Sequence, residues 1–285
     1  MVTGDNTDSL SLKVDAGLNR DSIKNCHTVI SLSKTGFSIL VSGAEKRQIL
    51  LSAQAYWSAA KDMAALTAQY EKCLDQLPIS PDHSASIQCL VNFQKFSLVP
   101  EDYYQKGNGQ KILSYTAKLS KGDRIYTDHW TGSQVIMVHA IPEQISEWIK
   151  KRLGQAIIHH EATAIDRLHG LLPQNNFSGL LYVSPNEADF YLSERGSLRW
   201  YNKFEYQTEE DLLYFILYCL EQNRFLPTEL QLKVGGLSLK GDKLRVLLER
   251  YIAEVKDISI PSVFRLSPMI SEKELRENIN LLGVL

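Results

Sequence analysis

Cysteine is scarce in this chain: Cys26, Cys73, Cys89 and Cys219 are the four in 285 residues, and none stands in a CxxC pair. That excludes a disulfide framework and argues against a structural zinc site, because both need clustered thiols. Long apolar runs are missing too. The longest, Leu212 to Leu220, is closed off by Glu209, Glu210 and Asp211 before it and Glu221 after it, whereas a spanning helix needs ~20 residues. The first eight residues, Met1 to Asp8, carry neither a basic region nor an apolar one, so no secretory signal is expected. An excess of one charge is absent as well, with 31 Lys and Arg against 33 Asp and Glu. A balance like that implies no nucleic-acid or anionic-membrane partner. These absences together predict a cytoplasmic, bacterial-type protein without a metal centre.

What is present is enough apolar material for a core. At 44% hydrophobic and 22% charged, the chain has globular composition, and its length suits one large or two ordinary domains. The first 22 residues are polar and carry no sustained periodicity, which predicts a mobile tail.

From there the pattern organises itself. Thr28 to Ser33, Phe37 to Val41 and Arg47 to Leu51 are short β-type stretches separated by turn residues around Gly36 and Gly43, a three-stranded meander. Apolar residues at Ala59, Met63, Leu66, Tyr70, Cys73, Leu74 and Leu77 then recur at helical spacing, and Pro78 and Pro81 stop the helix. Ile87 to Phe93 supplies another strand.

The same order returns from Ser178. Leu180 to Val183, Asp189 to Ser193 and Leu198 to Tyr206 form a second meander, and Thr208 with Asp211 resembles a capping box opening a helix on Leu212, Phe215, Ile216, Cys219 and Leu220. Leu230 to Val234, the Lys243 helix and Val255 to Ile260 complete it. Between the copies lie strand Val135 to Ile141, helix Pro142 to Leu153 ending at Gly154, strand Ala156 to His160 and helix Thr163 to Leu172. Pro173, Asn175 and Asn176 mark the boundary. The expected organisation is a tail (1–22), a first unit (23–175) with an insertion around 100–130, a second unit (176–265) and a C-terminal helical tail (266–285).

A βββαβαβ unit present twice resembles the duplicated ribonuclease H-like fold of actin-like ATPases. The expected fold class is therefore α/β, two ribonuclease H-like subdomains in tandem. More closely, Trp200-Tyr-Asn-Lys-Phe-Glu-Tyr-Gln-Thr-Glu-Glu-Asp-Leu-Leu-Tyr-Phe, Phe96-Ser-Leu-Val-Pro-Glu and Leu247-Leu-Glu-Arg-Tyr-Ile are similar to segments of a Bacteroidetes-type family of proteins of unknown activity with that fold.

The actin-like resemblance implies Mg-nucleotide held between the halves by two hairpin turns, each bringing an Asp and glycines that let amides approach phosphate. The first turn reads Ser31-Leu-Ser33-Lys34-Thr-Gly36: Gly36 fits and Lys34 supplies charge, but no acid stands at Ser31 or Ser33. In the second, Ser184 replaces the acid and Pro185 removes an amide donor. Glu187 and Asp189 stand nearby and read as the solvated face of an ordinary hairpin. Gly235-Gly236, between a strand and the Lys243 helix, resembles the adenosine-contacting glycine pair, although a tight turn explains it as well. Gly236 to Lys243 misses a phosphate loop, because Asp242 and Leu244 stand where the lysine and the hydroxyl residue belong.

Other clusters carry less. His159 and His160 are adjacent on a strand and face opposite ways, so they cannot share a metal. Asp128-His129-Trp130 and Ser238 form no triad, since no GxSxG elbow exists. Asp189 is the one nominee for a catalytic acid of a small-molecule kinase. Tyr201, Asn202, Phe204, Tyr206 and Tyr214 read either as packing against the Leu212 helix or as a partner surface.

With two acids and several glycines missing, phosphoryl-transfer chemistry loses most of its electrostatic support, at ~3 kcal/mol of barrier per good partner. The reading is a non-catalytic scaffold that binds a protein partner or itself, with no cofactor. Its alternative is a nucleotide-binding switch in which Ser33, Lys34, Gly36, Gly235 and Gly236 line a cleft for ATP.

Overall fold

The structure is a computed structural model that describes residues 10–43, 47–236 and 243–285. Leu237 to Asp242, which carry part of the second glycine turn and of the rejected phosphate loop, lie outside the described residues, as do residues 1–9.

The first meander runs β2 (Cys26–Ser33), β3 (Gly36–Gly43) and β4 (Gln48–Tyr56), followed by α1 (Met63–Asp75) and β5 (Ser86–Asn92). β5 lies parallel to β2, and β9 (Ile157–His160) lies parallel to β5. This sheet is apolar on both faces because it is covered on both. Ile30, Leu32, Ile39, Val41, Cys89 and Val91 pack under Leu66, Tyr70 and Leu74 of α1 and Ile145 and Ile149 of α3 (Glu143–Leu153). The alternate residues Val29, Leu40, Ile49 and Leu90 face α4 (Glu161–Leu171). Period-2 alternation thus turns a continuous apolar run into two cores. The start of α1 is fixed by Asp62, whose carboxylate accepts from the Ala65 amide at 2.8 Å, a cap of the kind worth ~1 kcal/mol.

The second meander, β10 (Phe177–Val183), β11 (Glu187–Glu194) and β12 (Ser197–Glu205), leads into α5 (Glu209–Gln222), β13 (Gln231–Gly236), α6 (Lys243–Glu249) and β14 (Glu254–Asp257). Its sheet order is β12-β11-β10-β13-β14. Thr208 and Asp211 form the expected capping box, and Leu212, Ile216 and Leu220 bury against Leu181, Phe190 and Leu192. The opposite face presents Leu180, Tyr182, Tyr191 and Tyr201 to the α4 core, so one apolar cluster joins both sheets.

Two segments differ from the sequence expectation. Ser11–Val14 is a strand (β1), antiparallel to β4 with Ser11 opposite Gln54 and Val14 opposite Leu51, where a mobile tail was expected. Leu10, Leu12 and Val14 pack on the first core; three alternating apolar residues are too few to register as periodicity, and the unpaired backbone of β4 supplies the partner. The inserted region is also larger than 100–130. It is a sheet of β6 (Phe96–Pro100), β7 (Asp123–Trp130) and β8 (Val135–Pro142) in order β6-β8-β7, with α2 (Gly109–Thr116) packed on it through Leu113.

The C-terminal residues return to the first sheet. β15 (Arg265–Leu266) pairs parallel with Gln48–Ile49 of β4. The helix α7 (Glu272–Arg276) has the expected Ser271–Glu274 capping box, and the 3-10 turn Ile279–Val284 packs on α4. Leu275, Ile279 and Leu282 are fully buried in the shared core.

Candidate functional site

The two meanders bring their first hairpin turns face to face. Ser33 to Gly36 joins β2 to β3, and Ser184 to Asn186 joins β10 to β11. Both turns are tied down by aromatic groups. Trp57 Nε1 donates to the Lys34 carbonyl at 3.0 Å and Tyr70 Oη to the Ser33 carbonyl at 2.7 Å. Tyr206 Oη donates to the Ser184 carbonyl at 2.7 Å. The Thr35 amide, a potential anion donor, is spent on Ser33 Oγ at 3.3 Å.

Directly between the turns is a recess of about 40 Å³, lined by Ser31, Ser33, Gly36, Tyr56, Glu161, Tyr182 and Ser184 among others. A single water's share of liquid volume is ~30 Å³, so this space holds no triphosphate. Tyr56 and Tyr182 narrow it from two sides. The bare Cα of Gly36 faces Tyr56, whose Cδ1 would lie 3.0 Å from an added Cβ. Tyr182 Oη donates to the Glu277 carbonyl at 2.8 Å. Burial, with Glu277 and Glu161 close by, raises the Tyr56 phenol above the usual tyrosine range.

Below the recess stands a buried charge cluster. Asp189, read from the sequence as a solvated hairpin residue, is fully buried. It faces Lys203 across the β11–β12 ladder, because the alternation that turns Trp200 and Phe204 toward α5 turns Tyr201 and Lys203 inward. Lys203 Nζ lies 3.1 Å from Asp189 Oδ2, 3.2 Å from Glu161 Oε2 and 3.7 Å from Glu187 Oε2. Tyr201 Oη donates to the other Asp189 oxygen, and Asn280 Nδ2 to Glu161 Oε1 at 2.9 Å. Burial alone would pull the Lys203 ammonium down; the carboxylates of Asp189, Glu161 and Glu187 outweigh it and hold its pKa above the ordinary lysine value. Glu161 moves up from its ordinary value because burial outweighs the pull of Lys203. In this arrangement an ammonium occupies the carboxylates that a divalent ion would require, and Asp189 is too enclosed and too paired to act as a kinase base.

Outside the recess a cleft of about 870 Å³ opens between the halves. Ser33, Lys34 and Thr35 form one wall with Asn92 and Gln94 at its floor, and Asn186, Glu187, Glu205, Tyr206, Asp211 and Phe215 form the other. No described residue of 100–130 lines it, so the inserted sheet does not plug the groove; Thr116 instead borders a separate groove beside Phe96 and Asn202.

Of the five residues expected to line a nucleotide cleft, Ser33 and Lys34 line this one, and Gly36 lines the recess. Gly235 and Gly236 line neither. A Cβ on Gly235 would meet Ile258 Cδ1 at 2.6 Å, and Gly236, at φ +95°, lies against the Val183 backbone. Isoleucine side chains pressed on Gly235 and the β10 backbone against Gly236 account for that glycine pair.

A second buried cluster escaped the sequence reading. Asp128 Oδ1 meets His159 Nδ1 at 2.7 Å, and Oδ2 accepts from the His160 amide and from Thr163 Oγ1, both at 2.7 Å. His160 Nε2 bonds the Phe93 carbonyl at 2.9 Å. As expected for neighbours on a strand, the two imidazoles serve different partners. The cluster anchors the start of α4 and thereby sets Glu161. Asp128 stands 31 or more positions before His159, His160 and Thr163, and the packing of β7 against β9 and α4 brings it to them.

Comparison with known proteins places the architecture. A family model described as "Protein of unknown function (DUF3822)" matches residues 15–255. The chain belongs to that family. A Bacteroides thetaiotaomicron protein with actin-like ATPase fold and unknown function superposes with a TM-score of 0.71 at 17% identity, covering 93% of this chain and 98% of that one. The PilM–PilN type IV pilus biogenesis complex gives 0.64 at 10% identity, covering 90% and 97%. The fold of this DUF3822 member is thus the actin-like ATPase fold. A search of the curated proteins found no match.

Proposed function

We propose that this protein is a non-catalytic actin-like scaffold that binds a protein partner or itself. One observation carries the reading: the space between the hairpin turns measures about 40 Å³, with Tyr56 and Tyr182 in its lining. The buried Lys203, paired to Glu161 and Asp189, supports it by occupying the acids in which a magnesium ion would seat. A scaffold role accords with the PilM fold relative, which was itself solved in a protein complex. The test is ATP turnover with magnesium. Background rates, unchanged in Ser33→Ala and Lys34→Ala variants, are expected; robust turnover abolished by those variants would overturn the reading.

The second reading is a nucleotide-binding switch. It draws on the cleft itself, since about 870 Å³ is roomy enough for a nucleotide and Lys34 stands at its wall. Calorimetry with ATP and ADP at millimolar concentration separates the two: binding heat lost in Lys34→Ala supports the switch, and no heat removes it.

A further inference from the structure

Two sheets stop beside one groove. β12 ends the second sheet and β6 ends the inserted one, and among the described residues no strand pairs with the outer edge of either. The groove between them, about 380 Å³, is bordered by Phe96 and Ser97 of β6 and by Asn202, Lys203 and Glu205 of β12. Consecutive strand residues point to opposite faces of a sheet. A space that touches Phe96 together with Ser97, and Asn202 together with Lys203, therefore runs along the strand edges and not over a face.

The ladder shows which backbone groups meet that space. In an antiparallel pair, bonded and non-bonded positions alternate. The Tyr206 amide donates to the Asn186 carbonyl at 3.1 Å, so Phe204 and Asn202, opposite Ala188 and Phe190, turn their amides and carbonyls to β11. Those of Lys203 and Glu205 turn outward. Burial agrees: the Lys203 side chain is 3% exposed while the residue as a whole is only half-buried, so what Lys203 shows the groove is main chain. Its outward amide is capped by Asn202 Oδ1 at 2.9 Å. The Lys203 carbonyl and the Glu205 amide face outward with no strand beside them.

We propose that this groove takes an extended segment of a protein partner, which adds a strand beside β12 with the β6 edge as its opposite wall. It names the partner class for the scaffold reading and rests on that reading. A strand edge presents donors and acceptors in a series that another extended backbone matches. A helix, ~10–12 Å across with its side chains, keeps its own backbone groups bonded and answers none of them. A second folded copy would bring a whole sheet against β6, whereas a lone segment fits between the walls. Charge narrows the choice further. The Lys203 ammonium is buried against Asp189 and Glu161, which leaves Glu205 as the exposed charge among the lining residues. The segment is therefore free of acids at that end and gains from a lysine or arginine there.

The test is selection of a displayed library of random short peptides on the full chain, followed by titration of the enriched peptides, made synthetically with and without backbone N-methylation. Enriched sequences rich in β-branched and aromatic residues are expected, binding saturably. Methylating an amide that faces β12 should weaken them about threefold to tenfold, a readout that acts on the peptide and is independent of the protein's folding. Thr116→Trp, at an exposed position on the groove's rim, should abolish binding with an unchanged thermal midpoint. No enriched peptide, binding indifferent to Thr116→Trp, or binding indifferent to methylation at every amide overturns the proposal. A dimer of the chain that is lost in Thr116→Trp also overturns it, since the groove then belongs to a second copy. None of these outcomes touches the absence of catalysis in the scaffold reading, which stands or falls with magnesium-dependent ATP turnover.

Discussion

Lys203 and Asp189 face each other across adjacent strands with 3.1 Å between ammonium and carboxylate, and neither side chain is more than 3% exposed. Removing the cation leaves Asp189 and Glu161 buried and unpaired. Lys203→Met should therefore cost about 3–5 kcal/mol in urea unfolding. Adding Asp189→Asn to that variant should recover part of the loss, because one uncompensated charge is gone. A Lys203→Met protein as stable as the parent would show that the cluster is not held by its charges.

Three buried imidazoles set an acid limit. Burial lowers His139 to about 3 and His160 and His169 to about 4, against an ordinary 6.5. The folded state thus refuses protons that the unfolded chain takes up below pH 6.5, so stability is full above that pH and falls as pH drops toward 4 and 3. Each histidine contributes up to ~1.4 kcal/mol per pH unit in that window. Urea midpoints measured from pH 7 to pH 4 should decline, and His139→Gln, which removes a ring whose nitrogens make no hydrogen bond although Nε2 lies 3.6 Å from Asp128 Oδ2, should flatten the decline.

Tyr182 is expected to matter through its hydroxyl as well as its ring. Tyr182→Phe deletes the hydrogen bond to the Glu277 carbonyl and should cost ~1 kcal/mol. Tyr182→Ala opens the recess and should cost ~3–5 kcal/mol. Calorimetry on the Ala variant should still show no ATP binding, since enlarging the space restores neither of the missing acids.

Gly236 admits no side chain. At φ +95° with the Val183 backbone against it, Gly236→Ala combines strain with overlap between β13 and β10, and little soluble protein should be recovered. Gly132, with nothing within 4 Å, is the control: its alanine variant should express normally.

How much of this was legible from the residues follows from which interactions are local. The two meanders, both capping boxes and the helix ending at Gly154 were readable because each signal falls within a few positions of its neighbour. The missing acids at Ser33 and Ser184 were readable for the same reason. Asp189 was misjudged because its partners come from β12 and α4, and a hairpin residue looks solvated until the strand beside it supplies a lysine. Gly235 and Gly236 suggested a ligand contact because a glycine pair looks the same whether a phosphate or another strand presses on it. Tyr56 at the end of β4 gave no sign that it would close the space between the turns.

The last twenty residues touch both halves: Tyr182 Oη donates to the Glu277 carbonyl and Arg276 pairs with Asp257 on the second, and the remaining ties run to the first. β15 adds to β4, Ser267 Oγ donates to Asp15 Oδ2 at 2.5 Å, and Asn280 reaches Glu161 beneath the cleft. Anchored on both sides, this segment works as a strap, and trimming the chain before Arg265 would strip Tyr182, Glu161 and β4 of partners at a single stroke.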